Sequence, residues 1–356
     1  MAAAAVRARK PLVSTSYQPP GIEELDRRAR AAGTILLNEI GFDPGIDHMA
    51  VARTLRDIRT RGGHVGSFTT AAGGIPAQDA NNNPWGYKFS WNPRAAVLAG
   101  RNPARFLRGG EVVEVAGEDL FRHHWPYGVE GQGVFEVYAN RDSLVYRDHY
   151  ELREAEGVFR GTIRYPGWCD TMLAAARLGF FEMTGQTWEA GTTWGPIVAR
   201  RIGHRGGSLV QSLADFLGVD ADSPVITRLE WAGFLSDRPL PVTVASPLDL
   251  FVSRLGALMH YQPGERDMAM LQYQFDARFP DAHREEIRGG IVLCGDAWGD
   301  TAMSRLVSLP AAIAARLIVE GKIRAEGAVI PTSPEIYRPV LDELEELGTK
   351  SSFARD

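Results

Sequence analysis

Cysteine is almost missing from this 356-residue chain: Cys169 and Cys294 are the only two, far apart in sequence. That excludes a disulfide-stapled scaffold and any paired zinc or redox motif, so both are expected as buried free thiols in a reducing compartment. No apolar run reaches the ~20 residues of a membrane-spanning helix, and Arg316 interrupts the best candidate, 311–319. Charge of one sign is also scarce. A net charge of −5 and a pI near 6.0 argue against a nucleic-acid or anionic-membrane partner. No G-x-G-x-x-G follows a predicted strand and no Walker sequence occurs, so neither common phosphate-cradling turn is written in the chain. His48, His123 and His124 have no second ligand pair at metal spacing and are expected to be packed or surface residues. Met1 to Lys10 is too short for a secretory signal; the fold is expected to begin at Leu12 and the protein to reside in the cytosol.

What the chain does have is ordinary globular material, 44% hydrophobic and 23% charged, enough for two or three domains with a sizeable core. It is organised around Asn38 to His48, NEIGFDPGIDH. Before it, Thr34 to Leu37 reads as a buried strand. After it, Val51, Leu55 and Ile58 form the stripe of a helix, with Pro44 expected at its first position and Asp43 as its N-cap. An acid thus stands at the carboxyl end of a strand, where ligands gather in open α/β sheets. Upstream, a strand at Pro11 to Ser16 and a helix at Gly21 to Ala32 complete a βαβα run, the later half of a doubly wound dinucleotide fold.

Downstream, strands are expected at His64 to Thr70, Glu111 to Val115, Gly133 to Tyr138 and Val158 to Tyr165, with a polar loop over Ala71 to Asn83. They suggest a separate, largely antiparallel sheet. Residues 167–240 read as mostly helical, at Met172 to Leu178, Gly207 to Leu217 and Val225 to Gly233. A helix at Leu248 to His260 precedes strands at Met268 to Phe279 and Glu286 to Cys294. The helix at Thr301 to Glu320 carries small residues at Ala302, Ala311, Ala312, Ala314 and Ala315, suited to close packing on the first domain.

NEIGFDPGIDH resembles the motif at the same turn of the glutamate-forming saccharopine dehydrogenases, also called saccharopine reductases. VSTSY (Val13 to Tyr17), AGGIPA (Ala72 to Ala77), NPWGYKFSW (Asn83 to Trp91), YANRDS (Tyr138 to Ser143) and RGTIRYPG (Arg160 to Gly167) continue the likeness. QPGERDMAMLQYQF (Gln262 to Phe275), TAMSRLVSLPAAIAARLIVEGKI (Thr301 to Ile323) and EIYRPVL (Glu335 to Leu341) follow in the same order as in that family. The resemblance implies an α/β fold: a partial Rossmann domain at 11–48 and 298–345, an α+β substrate and dimerisation domain at 49–166 and 247–297, and a mostly helical subdomain at 167–246. Residues 11–16 and 34–37 would be strands 5 and 6 of the dinucleotide fold, with strands 1 to 4 lacking a counterpart and the edge of strand 5 bare. A mistaken start site, a split enzyme or a degenerate copy would each account for that; the first fits best, because the substrate-side motifs are kept.

The resemblance also implies a reaction and a site. NADP(H) would serve the reduction of the imine of L-glutamate and 2-aminoadipate 6-semialdehyde to saccharopine, or the reverse, in a homodimer. The rival is a catalytically incomplete amino-acid-binding homologue. Asp43 and Tyr17 match the acid/base positions. Ser16, Tyr17, Arg141, Thr162, Ile163 and Arg164 match substrate contacts, and a guanidinium is the right fork for a carboxylate. Ser16, Phe42, Asp43, Pro44 and Asn92 match cofactor-side positions. One departure stands out: Ala72 replaces the family's cysteine, the third acid/base candidate.

Overall fold

The computed structural model describes residues 1–242 and 244–355. Leu12–Val13, Ile35–Leu37 and Gly327–Val329 form a three-stranded parallel sheet with Ile35–Leu37 in the middle. The helix Ile22–Ala31 links the first two strands, so the expected βαβα run is present. The third strand, Gly327–Val329, was not foreseen: three residues are too few for a period to register. The fold also begins earlier than expected. Ala2–Ala8 is a helix, and its Val6 packs with Ala29 and Leu36 against the flank of this sheet.

The second sheet has nine strands. At its centre His64–Pro76 pairs antiparallel with Asp267–Arg278 and parallel with Gly157–Arg164. Gly157–Arg164 in turn pairs with Ala104–Arg108 at its start and Gly133–Ala139 at its end. Outer strands Glu111–Val115, His124–Val129, Arg284–Cys294 and Ser352–Arg355 complete it. The central strand is longer than the sequence suggested, because Ala71 to Pro76 is strand, not loop. Gly73 and Gly74 mark close packing here: a Cβ on Gly73 would stand 2.5 Å from the Ile163 carbonyl oxygen.

Helices Trp168–Arg177, Trp194–Arg201, Leu209–Leu217, Pro224–Trp231 and Pro247–Leu258 pack over one face of this sheet. The starts of the last three are set by Ser208, Ser223 and Ser246, whose hydroxyls accept the backbone N–H three residues on. Helix Ala302–Val319, capped by Thr301, has the length and hydropathy of a membrane span, contrary to the sequence reading. Its Ala302, Leu306, Ile313, Ala314 and Leu317 nevertheless fill the core that joins the two sheets, while Ala312 faces outward. That same core holds Leu37 from the small sheet, Phe42 and Ile46 from the turn and helix that follow it, and Ala72, Ala269 and Leu271 from the large sheet. The Asn38–His48 stretch therefore sits at the seam. Of the two thiols, Cys169 is buried as expected, but Cys294 is only half-buried.

Candidate active site

Asp43 does not cap the helix. Gly41 and Gly45 bridge, with the Gly41 N–H donating to Pro44 O (2.9 Å) and the Ile46 N–H to Gly41 O (2.9 Å). This tight turn delays the helix to Ile46–Thr60, with Gly45 as its cap. Gly45 has φ 148°, and a Cβ there would overlap the backbone of Gly41. Asp47, not Asp43, accepts the backbone N–H groups of Gly45 and His48. The Asp43 carboxylate is thereby left to face the large sheet.

There it meets Arg160, from the strand Gly157–Arg164. One guanidinium nitrogen of Arg160 donates to Asp43 and the other to the Tyr17 hydroxyl (2.7 Å). Asp47 Oδ2 lies 3.6 Å from the same group. The guanidinium is clasped between the rings of Tyr17 (5.5 Å) and Tyr146 (5.3 Å). Arg141, held at φ 58°, covers Tyr17 at 5.1 Å and makes no ion pair among the described residues. Asp43, Tyr17 and Arg141 are thus brought together, with Ser16 beside them, and the residue that gathers them is Arg160. In the sequence Arg160 stands out only as the first residue of RGTIRYPG. Its one available signal was the period of two that sets it on the same strand face as Thr162 and Arg164.

Thr162 pairs in register with Ala72 on one side and Tyr138 on the other. Arg164 lies four residues beyond Arg160, ~13 Å along the strand. It is 6% exposed, stacks over Tyr87 (5.0 Å) and Trp168 (5.8 Å), and its Nε has no hydrogen-bond partner. A buried guanidinium with an unused N–H is ready to donate to a ligand carboxylate. Ile163 points the other way, fully buried in the core, which leaves only its backbone on the ligand side. Phe42 and Pro44 are buried in the seam. Asn92 is engaged elsewhere, accepting the Ala95 N–H (3.1 Å) as the cap of Pro93–Ala99.

A second cluster lies behind the turn. His48 is wholly buried and is more than a packed residue. Its Nε2 is 2.9 Å from Glu39 Oε2 and its Nδ1 is 2.8 Å from the Tyr150 hydroxyl. Burial opposes charge on His48, but the Asp47 and Glu39 carboxylates outweigh it and hold its pKa above the usual histidine value. Glu39 is likewise penalised by burial, yet its bond to His48 brings it below the usual carboxylate value. Asp47, fully enclosed, is pushed upward by burial. Burial also raises Tyr150 well above its ordinary value, so its hydroxyl keeps its proton. No group of three or more metal-ligating side chains occurs among the described residues.

Residues 41–349 match the family model described as the saccharopine dehydrogenase C-terminal domain. The chain belongs to the saccharopine dehydrogenase family. It is 35% identical to saccharopine dehydrogenase [NADP(+), L-glutamate-forming] of Schizosaccharomyces pombe, over 98% of this chain and 79% of that one. A solved structure, the apo histidine-tagged saccharopine dehydrogenase (L-Glu forming) from Saccharomyces cerevisiae, superposes with a TM-score of 0.89 at 32% identity. That match covers 99% of this chain and 81% of that one. The mitochondrial alpha-aminoadipic semialdehyde synthase of Bos taurus is 31% identical over 98% of this chain, which spans 38% of its length.

Proposed function

We propose that this chain is an oxidoreductase of lysine metabolism by the aminoadipate route, interconverting saccharopine with L-glutamate and 2-aminoadipate 6-semialdehyde, with NADP(H). One observation carries the reading: Asp43 and Tyr17 share the buried Arg160 at the seam, with Arg141 beside them and Arg164 further along the same strand. The names of the relatives, NADP(+)-linked and glutamate-forming, support it.

The substrate has three carboxylates. Arg141, above Tyr17 and without an ion pair among the described residues, and Arg164, with an unused donor, are the groups to hold two of them. A secondary amine bound between those forks would lie over Tyr17 and Asp43. In the direction of reduction the imine nitrogen must gain a proton as its carbon gains hydride; in the reverse direction the amine must lose one. Tyr17, a donor and acceptor, and the Asp43 carboxylate, an acceptor, are the groups placed to exchange it. Arg160 fixes both and leaves neither free to turn away. Orientation of this kind can contribute ~7–11 kcal/mol of the barrier at best.

Reduced nicotinamide, when bound, supplies the hydride, and Ser16, Phe42, Asp43 and Pro44 at the strand ends would flank its ring. That end fits. The βα turns of the parallel sheet hold no glycine cradle for a pyrophosphate among the described residues, so no role is assigned to them there. The same feature favours one other reading, an amino-acid-binding homologue that does not turn over unaided. A homodimer and a cytosolic location go with the first reading as further proposals.

The test is direct. Saccharopine and NADP+ added to the purified chain should yield reduced nicotinamide, and NADPH should bind in the micromolar range. Saccharopine binding with no NADPH binding even at millimolar concentration would establish the second reading, and inactivity towards saccharopine with turnover of another amino-acid conjugate would overturn the substrate assignment.

A further inference from the structure

Tyr17 is bracketed by one residue, Glu39, through its backbone on one side and its carboxylate on the other. The Glu39 N–H donates to Ser16 O (3.1 Å) on one side of it, and the Gln18 N–H donates to Glu39 Oε1 (2.9 Å) on the other. To do both, Glu39 adopts φ 57°, a left-handed conformation that costs a non-glycine residue ~1–2 kcal/mol. The other carboxylate oxygen of Glu39 is held by His48 Nε2, and His48 is held from behind by the Tyr150 hydroxyl. Tyr150 ends the short helix Val145–His149, whose Tyr146 ring supports the Arg160 guanidinium. The same segment follows Ser143, whose hydroxyl accepts the Arg160 backbone N–H (3.0 Å). The Glu39–His48–Tyr150 chain therefore joins the strand end that presents Tyr17 to the segment that seats Arg160.

We propose that Glu39, His48 and Tyr150 are positioning residues of the reaction, which hold the Tyr17 hydroxyl on Arg160 and beside Asp43. All three are buried, at most 5% exposed; they act through the backbone on either side of Tyr17. Placing three ionisable groups out of water is expensive, and an apolar filling of equal volume would serve packing alone at least as well. What apolar side chains cannot do is hold the Gln18 N–H next to the tyrosine and carry that hold through His48 to Tyr150 across the seam. The inference rests on the reading of Tyr17 as a proton-handling group.

The test uses Tyr150→Phe, which removes one buried oxygen, together with Glu39→Ala and Glu39→Gln. In crystal structures of Tyr150→Phe and Glu39→Ala, Tyr17 should leave hydrogen-bond reach of Arg160. In Glu39→Gln it should stay, because the amide keeps an oxygen for Gln18 and offers a donor to His48. Tyr17 still on Arg160 in Tyr150→Phe overturns the proposal, and that variant decides should Glu39→Ala fail to fold. In turnover, kcat should fall on the order of ten- to a hundredfold in Tyr150→Phe, with calorimetric affinity and stoichiometry for saccharopine unchanged, and recover in Glu39→Gln relative to Glu39→Ala. Equal losses in kcat and affinity would overturn it. If the unaltered chain fails to turn over saccharopine, the functional reading falls, and the position of Tyr17 in the crystals still judges the positioning role.

Discussion

Arg160 and Asp43 are in ion-pair contact at the seam of the molecule, with only 2% of the arginine side chain reaching solvent. Removing one partner of such a pair leaves the other buried and uncompensated. Arg160→Met should therefore destabilise the fold by about 3–5 kcal/mol, since it strands both Asp43 and the fully enclosed Asp47. Chemical denaturation would read this. A loss no larger than that of an exposed change such as Arg205→Met would show that the pair contributes nothing.

Asp43→Asn and Tyr17→Phe should each lower kcat by ~10²–10⁴, the range of general acid–base contributions. Ala72→Cys should change it little. Ala72 lies opposite Thr162 in the sheet and is 4% exposed, so a thiol there would add a group the present site works without. A large gain in kcat on introducing the thiol would show that the proton machinery is incomplete as it stands.

Arg141→Ala should raise the Michaelis constant for saccharopine far more than Arg205→Ala, because Arg141 covers Tyr17 whereas Arg205 is exposed in a loop. Steady-state kinetics on the two variants decide it; equal effects would remove Arg141 from the site.

The buried histidine gives stability a definite pH dependence. His48 is raised above the ordinary histidine value of 6.5, so the folded state holds a proton that the unfolded chain releases. Its contribution is complete below 6.5 and is lost as pH climbs through the higher folded value. Glu39 is lowered from 4.5, and its contribution is complete above 4.5 and lost as pH falls through its folded value. Asp47, raised by burial, has the opposite sign on the acid side and offsets part of that loss. The unfolding free energy should therefore decline as pH rises beyond 6.5, and His48→Gln should flatten that limb. An unchanged slope in the variant would sink the assignment.

Cys169 should resist thiol reagents in the native state, since burial raises its pKa steeply, and half-buried Cys294 should react first. Mass spectrometry after brief alkylation distinguishes them.

The sequence made the local elements legible and left the contacts between them hidden. Val51, Leu55 and Ile58 are buried as their spacing requires, and Glu111–Val115 is a strand as its composition suggests. Ala71 to Pro76 reads as a loop because its two glycines look like a turn, whereas their bareness lets Ile163 and Met303 approach a strand. Asp43 read as a cap because an aspartate before proline usually is one; only the Gly41–Gly45 turn shows that the helix starts later. Arg160 and Asp43 are 117 residues apart, and His48 and Tyr150 are 102 apart. No periodicity links such pairs, so the centre of the site becomes visible only when the sheets are assembled.

One guanidinium answers to Tyr17, Asp43 and Asp47 at once. These positions consequently have no independent freedom to vary: an exchange at any of them changes what the remaining ones require. Attempts to retune this catalyst towards another amine would have to redesign the quartet as a unit, and single-site libraries would sample mostly dead ends.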